Sequence, residues 1–457
     1  MDWTDNYHRK TVSDFAESMV KEIIREIHSE KLIIHTAHSL TQKEIGMIYR
    51  WPLYIGVNTF MERLIRTFDD KNRGVVTHYD AGTSDTEYYT SIAVACSHYY
   101  NGISFNSKLL NTLSNVISDG CGLKFQTVNL LASSYQSNTT LLNKRQYTFK
   151  SGIRYTKRTI ISFYLSFMRL FVKPDFIYED SENLNLIFPV RNRFQELPYK
   201  KLSVSSQTRG KLKEIFQKVY LNNQDDNLVK VDNEKNEIIS KVFSEWIDHV
   251  LPLSIVEGLS YRLNYYQNLL SGWDLKQIHI STGYAYNDNL KCFSVLAKRK
   301  NAKIISQDHG INNFTKLLSN KRDVGHQYKH LTGEGIVNYS DYYMYWGAGN
   351  RSPGDVWDDV ERVYNTKIIN SGSVYLSTLK KWKKSKINPK KITLLYPSGP
   401  LRTFMANLQE ITPEKNLIHR KNVLEILKNL LDQHKNLTIL YKSFMGIDLS
   451  NDPITQI

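Results

Sequence analysis

Gln307, Asp308, His309 and Gly310 stand in a row where a short strand over residues 303–306, expected to be buried, should end. Together they put an acid, an imidazole and a flexible backbone joint within one turn. An aspartate can take a proton or attack an electrophilic carbon, a histidine titrates near neutrality, and a glycine lets the chain turn sharply beside a ligand. The segments before them, 277–282, 287–300 and 303–306, read as strand, helix and strand. In an open parallel sheet of βαβ units, residues at the carboxyl ends of strands face the crevice where ligands bind. The pattern therefore predicts that Asp308 and His309 belong to a site. An Asp-His pair at a strand end also serves as a helix cap with a hydrogen-bonded histidine, so the rest of the chain has to bear on the choice.

Glu257, five residues past Pro252, is predicted on a helix that begins near Ser254 and feeds into those strands, which makes it the second candidate acid or base. A solvated surface glutamate is the ordinary alternative. Asn287, Asp288 and Asn289 open the next helix; Asn287 suits the N-cap, and the free amides of a helix start can hold an anion. Further on, Ser371-Gly372-Ser373 and Pro397-Ser398-Gly399-Pro400 each follow a short apolar strand. Small-residue loops at strand ends let backbone amides touch a phosphate, although glycine and serine mark any turn. Arg402 and Lys442 could add positive charge there. The chain has no Gly-x-x-x-x-Gly-Lys-Ser/Thr loop, no Gly-x-Gly-x-x-Gly and no Gly-x-Ser-x-Gly, so P-loop, classical dinucleotide and nucleophile-elbow readings fall away.

The elements that must carry these groups alternate between helix and strand. Residues 12–27 show a helical stripe; 31–36, 51–57 and 74–78 read as short strands. Residues 154–173 form a basic, aromatic stretch that suits either an anionic bilayer surface or a buried helix with snorkelling ends. Residues 200–236 turn polar and read as an exposed excursion with one helix at 210–220. Helices are expected at 238–249 and 422–434, and strands at 341–346, 367–370, 391–396 and 437–441. The expected fold class is α/β: two Rossmann-like domains facing a cleft. Residues 1–349 would form the N-terminal, acceptor-side domain, with a helical and polar insertion over about 150–250. Residues 350–457 would form a C-terminal nucleotide-binding domain, short enough to be incomplete.

Length and composition agree. At 457 residues the chain exceeds the usual size of a single core, and 41% hydrophobic content suffices for packed domains. Three scattered cysteines without a Cys-x-x-Cys spacing argue against a disulfide framework or a structural zinc. The start lacks a signal-peptide pattern, and no run of uncharged apolar residues is long enough to span a bilayer; a cytoplasmic protein, at most peripheral to the inner face of the membrane, is expected. A formal net charge of +15 favours anionic partners, but no helix-turn-helix, zinc-finger or Gly-aromatic RNA-binding signature directs it to nucleic acid.

The series Pro252, Glu257-Gly258, then Gln307-Asp308-His309-Gly310, Ser340-Asp341 through Trp346-Gly347, Ser371-Gly372-Ser373 and Tyr396-Pro397-Ser398-Gly399 resembles a family of transferases from O-antigen and other surface-polysaccharide gene clusters. It is more distantly similar to capsule-type Kdo transferases and teichoic acid glycerophosphotransferases. The resemblance spans about residues 251–442, and the family usually has Gln-His-Gly where this chain carries Asp308 between Gln307 and His309. It implies a metal-independent glycosyltransferase of the two-domain B type, acting on a nucleotide-sugar donor and a saccharide or lipid-linked acceptor. It implies no bound cofactor. Asp308, His309 and Glu257 would be catalytic. Gly310, Asn287, Gly372, Ser373, Ser398, Gly399, Arg402 and Lys442 would hold the substrate. A CDP-polyol phosphotransferase and a non-catalytic binder of anionic membranes or polysaccharides are the rival readings.

Overall fold

The computed structural model describes residues 6–30, 37–72, 75–80, 88–93, 95, 111–113, 115–116, 124–129, 164–165, 167–168, 173–185, 188–197, 201–223, 233–307, 336–345, 361, 364–372, 392–397 and 413–442. In chain order the elements used below are α1 (Asn6–Ser29), α2 (Gln42–Asn72), β1 (Val75–Asp80), β2 (Lys124–Asn129), β3 (Phe176–Tyr178), α3 (Ser206–Asn222), α4 (Asn233–Val250), α5 (Leu259–Leu270), β4 (Gln277–Ile280), α6 (Asp288–Arg299), β5 (Lys303–Gln307), β6 (Tyr342–Tyr345), β7 (Lys367–Asn370), β8 (Ile392–Pro397), α7 (Pro413–Gln433) and β9 (Leu437–Lys442).

Three to five residues suffice for each strand of the central sheet, which runs β3-β4-β5-β6-β7 with every pair parallel. Parallel neighbours need long crossovers, and α6 supplies the one between β4 and β5. Ile278 pairs with Ile304, Ile305 with Tyr342, and Tyr343 with Ile368. Along β4 the burial alternates, with Ile278 and Ile280 inside. Helix α6 is buried along nearly its whole length. Its ends explain why it forms: the Asn287 side chain caps it by accepting from Leu290 N at 2.9 Å, Asp288 sits in the first turn, and Lys298 and Arg299 sit in the last, each sign matched to the helix dipole.

One apolar cluster runs from Val12 to Ile368 and joins the helices to the sheet. Its aromatic centre ties three helices together: Phe60 of α2 meets Phe243 of α4 edge-on at 5.0 Å, and Tyr220 of α3 lies 5.0 Å from the same ring. Two smaller units complete the description. β1 pairs with β2, and β8 pairs with β9 in a βαβ arrangement with α7; both pairs are parallel. Among the described residues no helix is long and apolar enough to cross a membrane.

Several expectations need correction. Residues 51–57 lie inside α2 rather than in a strand. Trp51, Leu53, Tyr54, Ile55 and Val57 are all buried, and a helix apolar on every side shows no 3.6-residue period, so a short run of it mimics a buried strand. The polar stretch 200–236 is no simple excursion: Leu212, Ile215, Phe216, Val219 and Tyr220 of α3 form a helical stripe sunk in the core. The helix expected from Ser254 starts at Leu259, after a run of turns. Strand β7, expected beyond the domain junction, extends the five-stranded sheet beside β6. Within 154–173, Leu165 is buried while Tyr164 and Phe167 are exposed. The strand expected at 31–36 lies outside the described residues.

Candidate functional site

At the carboxyl edge of the sheet, where β3 and β4 end, a cavity of about 500 Å3 is lined by Glu179, Arg193, Glu196, Gly283, Asn287 and Asp288, among others. Its position is the one that open parallel sheets use for ligands. Strand β3 fixes its first member. Glu179 directly follows Tyr178, donates its backbone N–H to His279 O at 2.8 Å, and so keeps the register of the sheet one residue beyond the strand.

The Glu179 side chain is 4% exposed. Its Oε2 accepts from Ser281 N at 2.5 Å, across the loop that leaves β4. Gly283 makes the close approach possible: a Cβ at that position would lie 1.9 Å from Glu179 Oε1. Burial pushes the carboxyl up to about 7, and hydrogen bonds from the backbone of Ser281 and Tyr284 offset only part of that rise. A group tuned to this range can take and release a proton at neutral pH.

Two further buried charges flank it. Asp288 opens α6, accepts from Ile92 N at 3.2 and 3.3 Å, and is raised to about 6 by burial. Lys291, one turn further on and wholly buried, holds its Nζ 4.7 Å from the Tyr284 ring centroid and 4.6 Å from that of Tyr339. Its positive charge favours the ionised form of both carboxyls. At the rim, Arg193 pairs with Asp180, and Asn287 Nδ2 donates to Glu196 Oε1 at 3.2 Å. Proton-accepting carboxylates beneath a rim of amide, guanidinium and carboxylate groups can bind a polyhydroxylated molecule and deprotonate one of its hydroxyls. Among the described residues no group of three or more His, Cys, Asp or Glu side chains is placed to hold a metal ion.

Of the residues singled out from the sequence, Asn287 lies in this pocket and caps α6. Gln307 ends β5, the strand next to β4, and is buried; Asp308, His309 and Gly310 lie outside the described residues, as do Ser373, Ser398, Gly399 and Arg402. Gly372 follows β7 with φ +69°, a conformation that favours glycine, and a Cβ there would meet open space. Lys442 ends β9.

Glu257 is brought elsewhere. Its Oε1 accepts from Arg209 Nε at 2.9 Å and its Oε2 from Nη2 at 2.8 Å, with Ser205 N adding a third bond at 3.2 Å. Arg209 Nη1 also reaches Asp248 Oδ1 at 3.2 Å and the carbonyls of Asp248 and Leu251. The Tyr88 ring covers the guanidinium at 4.1 Å and its hydroxyl donates to Asp248 Oδ2 at 2.7 Å. This closed network joins α3, α4 and the turn before α5, and Glu257 does not line the carboxyl-edge cavity.

No sequence motif singles out Glu179 or Lys291. The one local signal for Glu179 is a carboxylate placed directly after the apolar run Phe176-Ile177-Tyr178.

Fold and pocket together define an α/β protein with acid-base groups at the carboxyl edge of a parallel sheet. The chain belongs to the LIC12162 family of transferases, whose model matches residues 78–452. No curated protein and no solved structure matches it.

Proposed function

We propose that this transferase moves a sugar from a nucleotide-activated donor onto a hydroxyl of a saccharide or lipid-linked acceptor, in bacterial surface-polysaccharide assembly at the inner face of the cell membrane. The observation that carries the reading is Glu179, a buried carboxyl raised to about 7 and open to a pocket of sugar size at the strand ends. Membership of a transferase family supports the class of reaction. In a single-step transfer the acceptor O–H donates its proton to the Glu179 carboxylate while its oxygen bonds to the anomeric carbon. The bond from that carbon to the donor phosphate breaks, its electron pair leaves with the nucleoside diphosphate, and configuration inverts. Asp308 and His309 then orient donor and leaving group. If Asp308 instead attacks the anomeric carbon, a covalent adduct forms first, Glu179 activates the acceptor in the second step, and configuration is retained.

The donor phosphates are assigned to the loops after β7 and β8, through Gly372, Ser373, Ser398, Gly399 and Arg402, and to Lys442 at the end of β9. The full arrangement is a B-type pair of α/β domains about a cleft, with basic side chains and backbone amides compensating the leaving charge.

Nucleotide release by the wild type, by Glu179→Gln and by Asp308→Asn tests the chemistry. Both variants should keep the thermal melt of the parent and lose turnover. Near-normal release by Glu179→Gln removes it as the base, and near-normal release by Asp308→Asn removes that residue from the mechanism. A ligand that binds only the folded state raises the melting temperature, so nucleotide sugars should stabilise the chain and CDP-glycerol should not. Stabilisation by CDP-glycerol alone would replace sugar transfer with polyol-phosphate transfer.

A further inference from the structure

At the opposite, amino edge of the sheet, where the chain enters β6 and β7, a second cavity of about 580 Å3 opens against the first two helices. Its wall carries Lys21 of α1, Lys43 and Arg50 of α2, and Lys298 from the last turn of α6, with Asp341 as the lining carboxylate. Glu17 lies 2.6 Å from Lys21 Nζ and 3.6 Å from Arg50 Nη2. Asp341 meets Lys298 at 3.0 Å and Lys303 at 4.0 Å, and also accepts the backbone N–H of Ile304 at 2.8 Å. The two carboxylates are thus each shared between cations, while Lys43 is exposed and forms no ion pair among the described residues. Burial, with Lys43 and Lys303 adding repulsion, outweighs Asp341 and holds the Lys298 ammonium below the usual lysine range. Among the described lining residues four basic side chains stand against one carboxylate, and Gln42, Asn338, Ser340 and Asn365 add uncharged polar groups around them.

We propose that this amino-edge pocket binds a small phosphorylated molecule, with Lys21, Lys43, Arg50 and Lys298 taking the phosphate. A phosphate dianion would meet the Lys43 ammonium with the other three basic side chains around it, and charge-assisted hydrogen bonds to phosphate are the strong kind. The volume lies in the range of small-molecule sites and leaves room for an organic part beyond the phosphate. Because the site lies at the far ends of the strands from the carboxyl-edge pocket, it stands or falls apart from the sugar-transfer reading.

Calorimetric titration of the full chain with inorganic pyrophosphate at low ionic strength tests it. The wild type should bind at millimolar probe or below. Lys43→Gln, an exposed substitution that should not disturb the melt, should weaken binding about tenfold, and Lys43→Gln with Lys298→Gln should abolish it. Lys276→Gln, which removes an exposed lysine elsewhere, and Glu179→Gln should bind as the wild type does. Two results overturn the proposal: no heat of binding at millimolar probe, or equal binding by Lys43→Gln and the parent, since the anion would then sit elsewhere, at the donor loops included.

Discussion

Glu179 holds a proton near neutrality because β3 ends one residue before it, Gly283 leaves room for its carboxyl group, and the amides that reach it are too few to offset burial. The sign of the resulting pH dependence follows. Its carboxyl titrates at about 7 in the folded chain against 4.5 when unperturbed, so the folded state keeps a proton that the unfolded state has already lost. The stabilisation is complete below about 4.5 and disappears as pH rises through about 7. Glu179→Gln should therefore flatten the decline of the denaturation midpoint across that window. The same variant should lower kcat/KM by about 100-fold or more, the usual contribution of a positioned base. Wild-type turnover should rise with pH and level off above about 7; a rise of the same shape in Glu179→Gln would assign the base to another group. Gly283→Ala is a second probe. Its methyl group would overlap Glu179 Oε1, so the carboxylate must shift, and the variant should lose activity while binding donor as before.

The Arg209 network makes its prediction between elements rather than within a site. Arg209, Asp248 and Glu257 come from α3, α4 and the turn before α5, and all three side chains are almost fully buried. Removing the cation leaves two carboxylates without their common partner. Arg209→Met should therefore destabilise the chain by about 3 to 5 kcal/mol, read from the urea midpoint. Arg209→Lys should recover only part of that, because an ammonium cannot form the forked bond to Glu257. This network also marks where the sequence stopped being legible. The strands β4 to β7 and helix α6 were readable because alternation, an Asn-Asp cap and basic last-turn residues are local signals. Glu257 could be picked out by type, but its partner Arg209 stands 48 residues away. Glu179 is illegible for the same reason: the backbone amide that grips it lies 102 residues further on, and its altered acidity comes from burial, which no local pattern records. Residues 51–57 mislead for a different reason, since a helix buried on all sides erases the period that identifies it.

At the scale of the whole molecule, the continuous core draws on described residues only as far as Ile368. The unit β8-α7-β9 is built otherwise. Among its described residues Leu427 is buried, yet Ile392, Ile426, Leu431 and Leu440 are 42 to 58% exposed, and the two strands and one helix described there have little apolar surface to bury on their own. Folding stability should then reside mainly in the helices and the five-stranded sheet, with the C-terminal unit depending on them. A chain ending at Gly372 should still melt cooperatively, close to the temperature of the full chain, because every described strand and helix contributing to the core cluster is retained. If the donor phosphates are held by the loops after β8 and by Lys442, that shortened chain should also lose the rise in melting temperature that a nucleotide sugar gives the full one. A separate fragment of residues 373–457 should show no cooperative transition. Calorimetry of the three chains decides between this division and its opposite: a shortened chain that fails to melt cooperatively would make the C-terminal unit part of a single folding unit, and donor binding would then have to be traced by point substitutions at Arg402 and Lys442.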